Sequence, residues 1–248
     1  GGFVITGGLG GLGLRAAAIL LAQGVRRIAL TSRSGRVARN GQGLEGQLSA
    51  LTLTSSSGVW LIACDASDQA EAPLLLGSAL FDAGEQPVSG VLHAAGVLHK
   101  GALTDATIWD AAQVFHSKAV SALSMHASLT HMPPSTFLLY SSVACLFGNV
   151  GQCIYAAANA CLDSLALLRR AHGIVGSGIL LPLVAGAGMG AASFSEKQLH
   201  YRGMATIALE EYATCVSCAL QYLSFRVQAL LPANAAKLLD CLPDPEQF

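Results

Sequence analysis

The chain has 248 residues, of which 52% are hydrophobic, only 12% charged and 27 glycine, with a formal net charge of −1. Soluble chains average about 25% charged residues, so this apolar content excludes a largely disordered chain. Glycines without a three-residue period exclude collagen, and the near-neutral charge argues against electrostatic binding of nucleic acid.

Taken in order, short apolar runs alternate with helix-period stretches. Residues 3–6 read as a strand and 11–22 as a helix, followed by strand 27–31, helix 43–53, strand 59–63 and helix 68–83. Then come strand 90–93, helix 105–129, strand 136–141, helix 155–172, strand 178–183, helix 210–223 and strand 226–230. Runs such as Phe137-Leu138-Leu139-Tyr140 are continuously apolar, as strands covered on both faces are. The alternation predicts an α/β fold: a Rossmann-like, doubly wound parallel sheet of about seven strands with helices on both faces. No internal repeat or long polar linker divides the chain, so 1–248 reads as a single domain. Residues 34–46 read as a mobile surface loop. The Gly/Ser-rich stretch 186–203 reads as a loop at the carboxyl edge of the sheet, where ligands bind in this architecture.

The longest charge-free run lies between Lys118 and Asp163, 44 residues, but Pro133, Pro134, Gly148 and Gly151 interrupt it. It is not an apolar span of ~20 residues, so no membrane crossing is expected. The chain opens on Gly1-Gly2 without a basic leader and reads as an excised piece of a longer protein. Seven scattered cysteines fit a reducing, cytoplasmic compartment rather than a disulfide frame. The lone pair Cys215 and Cys218 reads as two small buried residues on a helix face, and histidines 99, 116, 126, 131, 172 and 200 lack ligand spacing, so no metal site is expected. Arg169-Arg170 reads as a helix-end pair suited to the helix dipole, ahead of a contact with an acidic partner.

The first strand runs into Thr6-Gly7-Gly8-Leu9-Gly10-Gly11-Leu12-Gly13, which contains G-x-G-x-x-G at Gly8, Gly10 and Gly13. A strand before it and a helix after it are the context a dinucleotide fingerprint requires. Glycines let the backbone approach a pyrophosphate, whose charge meets the helix N-terminus. The second strand ends Thr31-Ser32-Arg33-Ser34, with no acid to bond a ribose 2′-hydroxyl, and residues 1–64 hold six arginines against one acid, Glu45. Arg33 with its flanking hydroxyls suits a 2′-phosphate, so NADPH is expected over NADH. In Cys64-Asp65-Ala66, Asp65 could bond an adenine amine. The small residues of His93-Ala94-Ala95-Gly96 would let a cofactor approach the backbone.

The fifth strand ends Tyr140-Ser141-Ser142, and Tyr155 follows Ser142 by thirteen residues. Tyr155 and Asn159 stand four apart, on one helical face. In this arrangement the chain resembles the short-chain dehydrogenases/reductases, and more narrowly the ketoreductase domain of type I polyketide and fatty-acid synthases. Most short-chain dehydrogenases carry a lysine four residues after the tyrosine; synthase ketoreductases exchange it for an upstream lysine. Here Asn159 holds the first place, and His116-Ser117-Lys118-Ala119 resembles the second motif. The stretch from Gly148 through Tyr155 and Asn159 to Asp163 is also very similar, and the resemblance covers nearly the whole chain.

The resemblance implies NADPH-dependent reduction of a β-ketoacyl thioester tethered to an acyl carrier protein by phosphopantetheine. Tyr155 would give the proton, its phenol acidified by Lys118. Ser142 would polarise the carbonyl, Asn159 would anchor Lys118 directly or through water, and Lys118 would touch the nicotinamide ribose. Leu183, Lys118 and Tyr155 complete the expected cofactor contacts. Two stereochemical markers of the family are missing: Leu98-His99-Lys100 stands where Leu-Asp-Asp is common, and Phe147 where a tryptophan is. The product configuration therefore stays open. The resemblance also implies that this is the catalytic half of a ketoreductase, with the structural half outside it, and that apolar surface is shared with that half or with a second copy. A free-standing reductase of small ketones and a non-catalytic NADP-binding module are the alternatives. The exchanged Lys118/Asn159 pattern disfavours the first, and the intact Lys118, Ser142 and Tyr155 disfavour the second.

Overall fold

The computed structural model describes residues 1–37, 43–54, 58–77, 88–186, 206–221 and 226–230. Seven parallel strands form one sheet in the order β3-β2-β1-β4-β5-β6-β7. They are β1 (Gly2–Thr6), β2 (Arg27–Ser32), β3 (Gly58–Ala63), β4 (Val88–His93), β5 (Thr136–Ser142), β6 (Ser177–Leu181) and β7 (Val227–Ala229). The helices are α1 (Gly11–Ala22), α2 (Leu44–Thr54), α3 (Glu71–Gly77), α4 (Ile108–Phe115), α5 (Ser121–Ser128), α6 (Ala144–Phe147), α7 (Cys153–Ala171) and α8 (Leu209–Gln221).

Strand side chains alternate in direction, and both directions are apolar here, which is why the sheet is covered twice. Ile5, Ile28, Leu30, Leu92, Leu138 and Tyr140 pack with α1, α2 and α8. Their neighbours Val4, Ala29, Val91, Phe137 and Leu139 pack with α3, α5 and α7. Each fully buried Leu or Ile contributes about 1.5–3 kcal/mol, so this alternation carries most of the fold's stability.

The expected helix at 105–129 is subdivided. A 3-10 turn occupies Leu103–Asp105. α4 begins only at Ile108, because Thr107 and Asp110 form a reciprocal capping box that satisfies the first-turn donors. A π turn, His116–Val120, then separates α4 from α5. α7 starts two residues before Tyr155, so the tyrosine sits in its first turn.

Arg169 and Arg170 stand in the last turn of α7, as expected of a helix-end pair, but Arg169 is completely buried. Its guanidinium lies 3.8 Å from the Phe137 ring centroid, its Nε donates to the Val175 carbonyl at 2.7 Å and its Nη1 to His126 Nδ1 at 2.7 Å. Burial pushes its pKa down to about 10. Cys215 and Cys218, expected to be buried together, are not: Cys215 is half-buried, packed at the edge of the core that holds Tyr212, Val216 and Ala219, and Cys218 is exposed. The ends of the expected helices 68–83 and 210–223, part of the loop 34–46 and nearly all of 186–203 fall outside the described residues.

Candidate active site

The strand order reverses on either side of β1, between β2 and β4, and open α/β sheets bind ligands in the crevice at such a point. Both flanking loops meet there. Gly7 has φ +66°, and a Cβ on it would lie 2.7 Å from Ala95 Cα and N. A Cβ on Gly8 would come 2.6 Å from the Ile5 carbonyl, and one on Gly13 2.5 Å from both the Gly7 carbonyl and Gly8 Cα. These are backbone contacts that cannot rotate away, so only glycine fits. Gly10 is different: its Cβ would meet only the Gly7 carbonyl, at 3.3 Å. It is the N-cap of α1 and offers no side-chain cap, which leaves the first-turn amides of α1 to a ligand. The residues present thus fit a pyrophosphate-bearing cofactor: a cradle that side chains would fill, under a helix N-terminus. Leu9 is buried in the core and anchors the turn from below.

Along the carboxyl edge, Ser32 Oγ donates to the Arg36 carbonyl at 3.2 Å and the Ser34 hydroxyl accepts from Arg36 N at 3.3 Å. This folds the turn so that Arg33 is exposed beside it. Asp65 has local partners: its Oδ1 accepts from Ser67 N at 3.0 Å and from Ser67 Oγ at 2.6 Å. Burial works to raise its carboxyl, but the Ser67 bonds and Arg33 outweigh that and hold it below the usual range. Cys64 and Ala66 on either side are buried. The His93 side chain is wholly enclosed, so the cofactor-facing part of this motif is the half-buried Ala94, Ala95 and Gly96. Leu183 lies beside the small bridge formed by Val184 and Ile207, and its carbonyl accepts from Ile207 N at 2.9 Å.

The chemistry-bearing residues come from three elements: Lys118 from the π turn, Ser142 from the end of β5, and Tyr155 with Asn159 from α7. A π turn re-aims a side chain without ending the helix. Here Ser117 Oγ donates to Val114 O at 2.9 Å, and Ser121 Oγ to His116 O at 2.7 Å. Lys118 is almost fully buried. Its Nζ donates to the Tyr140 carbonyl at 2.9 Å and lies 5.5 Å from the Tyr155 ring centroid. Burial lowers its ammonium to about 8, against the pull of Asp163 and Cys145.

Ser142 Oγ accepts from Ala144 N at 3.2 Å. Asn159 Nδ2 donates to the Tyr155 carbonyl at 2.7 Å, and its buried Oδ1 has no protein partner. The expected direct Lys118–Asn159 bond is therefore not made, because the lysine turns to the β5 backbone; a buried carbonyl oxygen left open is a place for a bridging water. Burial raises the Tyr155 phenol, while hydrogen bonds with Asn159 and Ser142 oppose the rise. Lys118 is absent from those influences, so the expected acidification by its charge is not the leading effect here.

Supporting residues that sequence reading passed over lie beside this group. Ser141 Oγ donates to the Asn159 carbonyl at 3.3 Å, stapling α7 to β5. Cys145 Sγ donates within reach of Ser142 O at 2.8 Å and Asp163 Oδ2 at 3.1 Å. Strand alternation was the available signal for Ser141, since adjacent Ser141 and Ser142 must face opposite ways. The segment bearing Leu98-His99-Lys100 sits against the loop ahead of Tyr155, with Gly101 N donating to Gly151 O at 3.0 Å.

A sheet of this order with a glycine cradle at the switch point, and a half-buried Tyr155 and Ser142 with a buried Lys118 and Asn159 beside it, defines a Rossmann-like reductase of the short-chain type. The KR domain profile matches residues 1–186, and the chain belongs to the KR (ketoreductase) domain family of type I polyketide synthases. It is 33% identical over 220 residues, 89% of its length, to polyketide synthase GfsB of Streptomyces halstedii, and 35% identical over 225 residues, 85% of its length, to mellein synthase of Phaeosphaeria nodorum. It spans only 4% and 12% of those synthases. Among solved structures it is similar to an A1-type ketoreductase, with TM-score 0.84 and 29% identity over 96% of this chain and 49% of that one. The first ketoreductase of the tylosin polyketide synthase gives TM-score 0.82 at 28% identity, over 97% of this chain and 50% of that one. KR domains of this type bind a nicotinamide cofactor and are oxidoreductases. Among the described residues, no helix is long and apolar enough to cross a membrane.

Proposed function

We propose that this chain reduces a β-ketoacyl thioester, carried by the phosphopantetheine arm of an acyl carrier protein, to the β-hydroxyacyl thioester. The observation that carries the reading is the convergence of Lys118, Ser142, Tyr155 and Asn159 beside the glycine cradle. NADPH, when bound, supplies the hydride. Tyr155 Oη gives its proton to the ketone oxygen as charge develops there. Ser142 Oγ donates a hydrogen bond to the same oxygen. The Lys118 ammonium stabilises the phenolate left behind. Asn159 holds the first turn of α7 through the Tyr155 carbonyl and, with its open Oδ1, a water through which the proton is replaced.

Thr6 to Gly13, the backbone of Ala94 to Gly96, and Asp65 with Ala66 would hold the cofactor. Arg33, with Ser32 and Ser34, would take a 2′-phosphate and so select NADPH over NADH. Residues 1–248 act as one domain, partnered by other domains of a synthase in the cytoplasm; the free thiols at Cys64, Cys145, Cys153, Cys161, Cys215 and Cys218 support a reducing compartment. Ile108 and Trp109, 91% and 71% exposed, support apolar surface shared with another domain or copy. A strictly monomeric chain in sedimentation, with that face uncovered in every longer form, would remove this part of the reading.

The test is NADPH oxidation with a β-ketoacyl thioester, comparing wild type with Tyr155→Phe. The expected outcome is turnover in wild type and a loss of roughly 10²–10⁴-fold in kcat, with NADPH binding retained. Equal rates in the two proteins would sink the assigned acid. A folded, NADPH-binding wild type that reduces no β-ketoacyl thioester would sink the reaction.

A further inference from the structure

The helix that follows residues 187–205 reaches back to the glycine turn through one buried side chain. Tyr212 of α8 is completely enclosed. Its hydroxyl lies 2.8 Å from the Leu12 carbonyl and 3.0 Å from the Tyr140 hydroxyl. The two rings meet edge to face, with centroids 6.2 Å apart. A carbonyl only accepts, so the single Tyr212 proton goes to Leu12, and Tyr140 donates its own to Tyr212. Burial raises both phenols, which keeps both protons in place.

Each end of this chain of bonds falls at the site. Leu12 stands between Gly11 and Gly13 in the first turn of α1, whose amides face the cradle. Tyr140 uses its backbone carbonyl to hold Lys118 Nζ at 2.9 Å and lies two residues before Ser142. Two surface contacts dock the same helix on α1: the Arg15–Glu210 ion pair and a 3.1 Å bond from Gln23 Nε2 to Ser217 Oγ. Those are exposed and carry little energy. The buried bond from the Tyr212 hydroxyl to the Leu12 carbonyl is the specific link, because a buried polar group is costly to leave unpaired.

We infer that Tyr212 is a positioning residue for the cofactor: by donating to the Leu12 carbonyl, its hydroxyl fixes the first turn of α1, and thereby the glycine cradle, against α8. This rests on the nicotinamide-cofactor reading but not on the identity of the ketone. Cofactor binding and α8 docking are then thermodynamically coupled, and the coupling is reciprocal.

The experiment measures NADPH dissociation constants by nicotinamide fluorescence for wild type, Tyr212→Phe and Tyr140→Phe, alongside KM for NADPH, kcat and thermal midpoints. Tyr212→Phe should weaken NADPH binding by roughly fivefold to tenfold and raise KM for NADPH, with kcat at saturating NADPH within about twofold of wild type. Tyr140→Phe keeps the Tyr212–Leu12 bond and should leave the dissociation constant within about twofold. A lowered thermal midpoint with unchanged NADPH affinity in Tyr212→Phe would make the residue purely structural and overturn the proposal. Equal weakening by both variants would overturn the assignment to the Leu12 bond.

Reciprocity supplies a second measurement that needs no variant. NADPH added to wild type should slow amide exchange across 209–216 in α8; unchanged exchange there would overturn the proposal even if Tyr212→Phe fails to fold. A wild type that binds NADPH with this coupling but reduces no β-ketoacyl thioester would overturn only the proposed reaction. A wild type that binds no NADPH would overturn both.

Discussion

The imidazole of His93 ties the end of β1 to the backbone of Lys118. Its Nε2 lies 2.9 Å from the Lys118 carbonyl and its Nδ1 2.6 Å from Thr6 Oγ1. The carbonyl only accepts, so Nε2 carries the proton and Nδ1 accepts from the Thr6 hydroxyl. Both bonds need the neutral ring. Burial, reinforced by the Lys118 charge, lowers its pKa to about 3.

That bracket predicts acid sensitivity of the fold. An unfolded histidine titrates near 6.5. Between that value and about 3 the unfolded chain takes a proton that the folded chain refuses. The His93 contribution is therefore fully present above pH 6.5 and is lost as pH falls through that window, by up to about 1.4 kcal/mol per pH unit. Urea unfolding at pH 7 and pH 5 should show the loss in wild type and a flatter dependence in His93→Gln. Parallel losses in the two proteins would remove His93 as the source.

Lys118 predicts the alkaline side of the activity. Its ammonium titrates near 8 rather than near 10.5, and the proposed role needs the cation. Ketone reduction at saturating NADPH should fall as pH rises through about 8. In Lys118→Met the rate should be lower at every pH, with that limb gone. A rate flat to pH 10 in wild type would contradict the role.

The glycine turn predicts unequal tolerance to a single methyl group. Gly13→Ala drives a Cβ into the backbone of Gly7 and Gly8 at 2.5 Å. It should cost about 1–3 kcal/mol of stability and weaken NADPH binding more than tenfold. Gly10→Ala meets one carbonyl at 3.3 Å and should be the milder change. Thermal melts with and without NADPH decide the order.

Arg33 predicts the cofactor preference. Losing a charge-assisted bond worth about 1.5–3 kcal/mol should make Arg33→Ala bind NADPH roughly 10–100-fold less well, with NADH binding little changed. Equal effects on the two dinucleotides would place the 2′-phosphate elsewhere.

Periodicity and punctuation alone determined the architecture. Apolar strands, glycine after β1 and helix-period stretches between them read as a seven-stranded, doubly wound sheet, because burial on both faces leaves a local mark on every strand. The family was legible too, since Lys118, Ser142, Tyr155 and Asn159 stand at recognisable separations. Tertiary structure decided what each side chain does with its neighbours. Strand spacing says nothing of a π turn that aims Lys118 at a β5 carbonyl rather than at Asn159. Composition cannot show that Arg169 lies buried against Phe137, or that Tyr212 reaches Leu12 across 200 residues. Such contacts depend on packing between elements distant in the chain, whereas the sequence signals that were readable are all local in period or spacing.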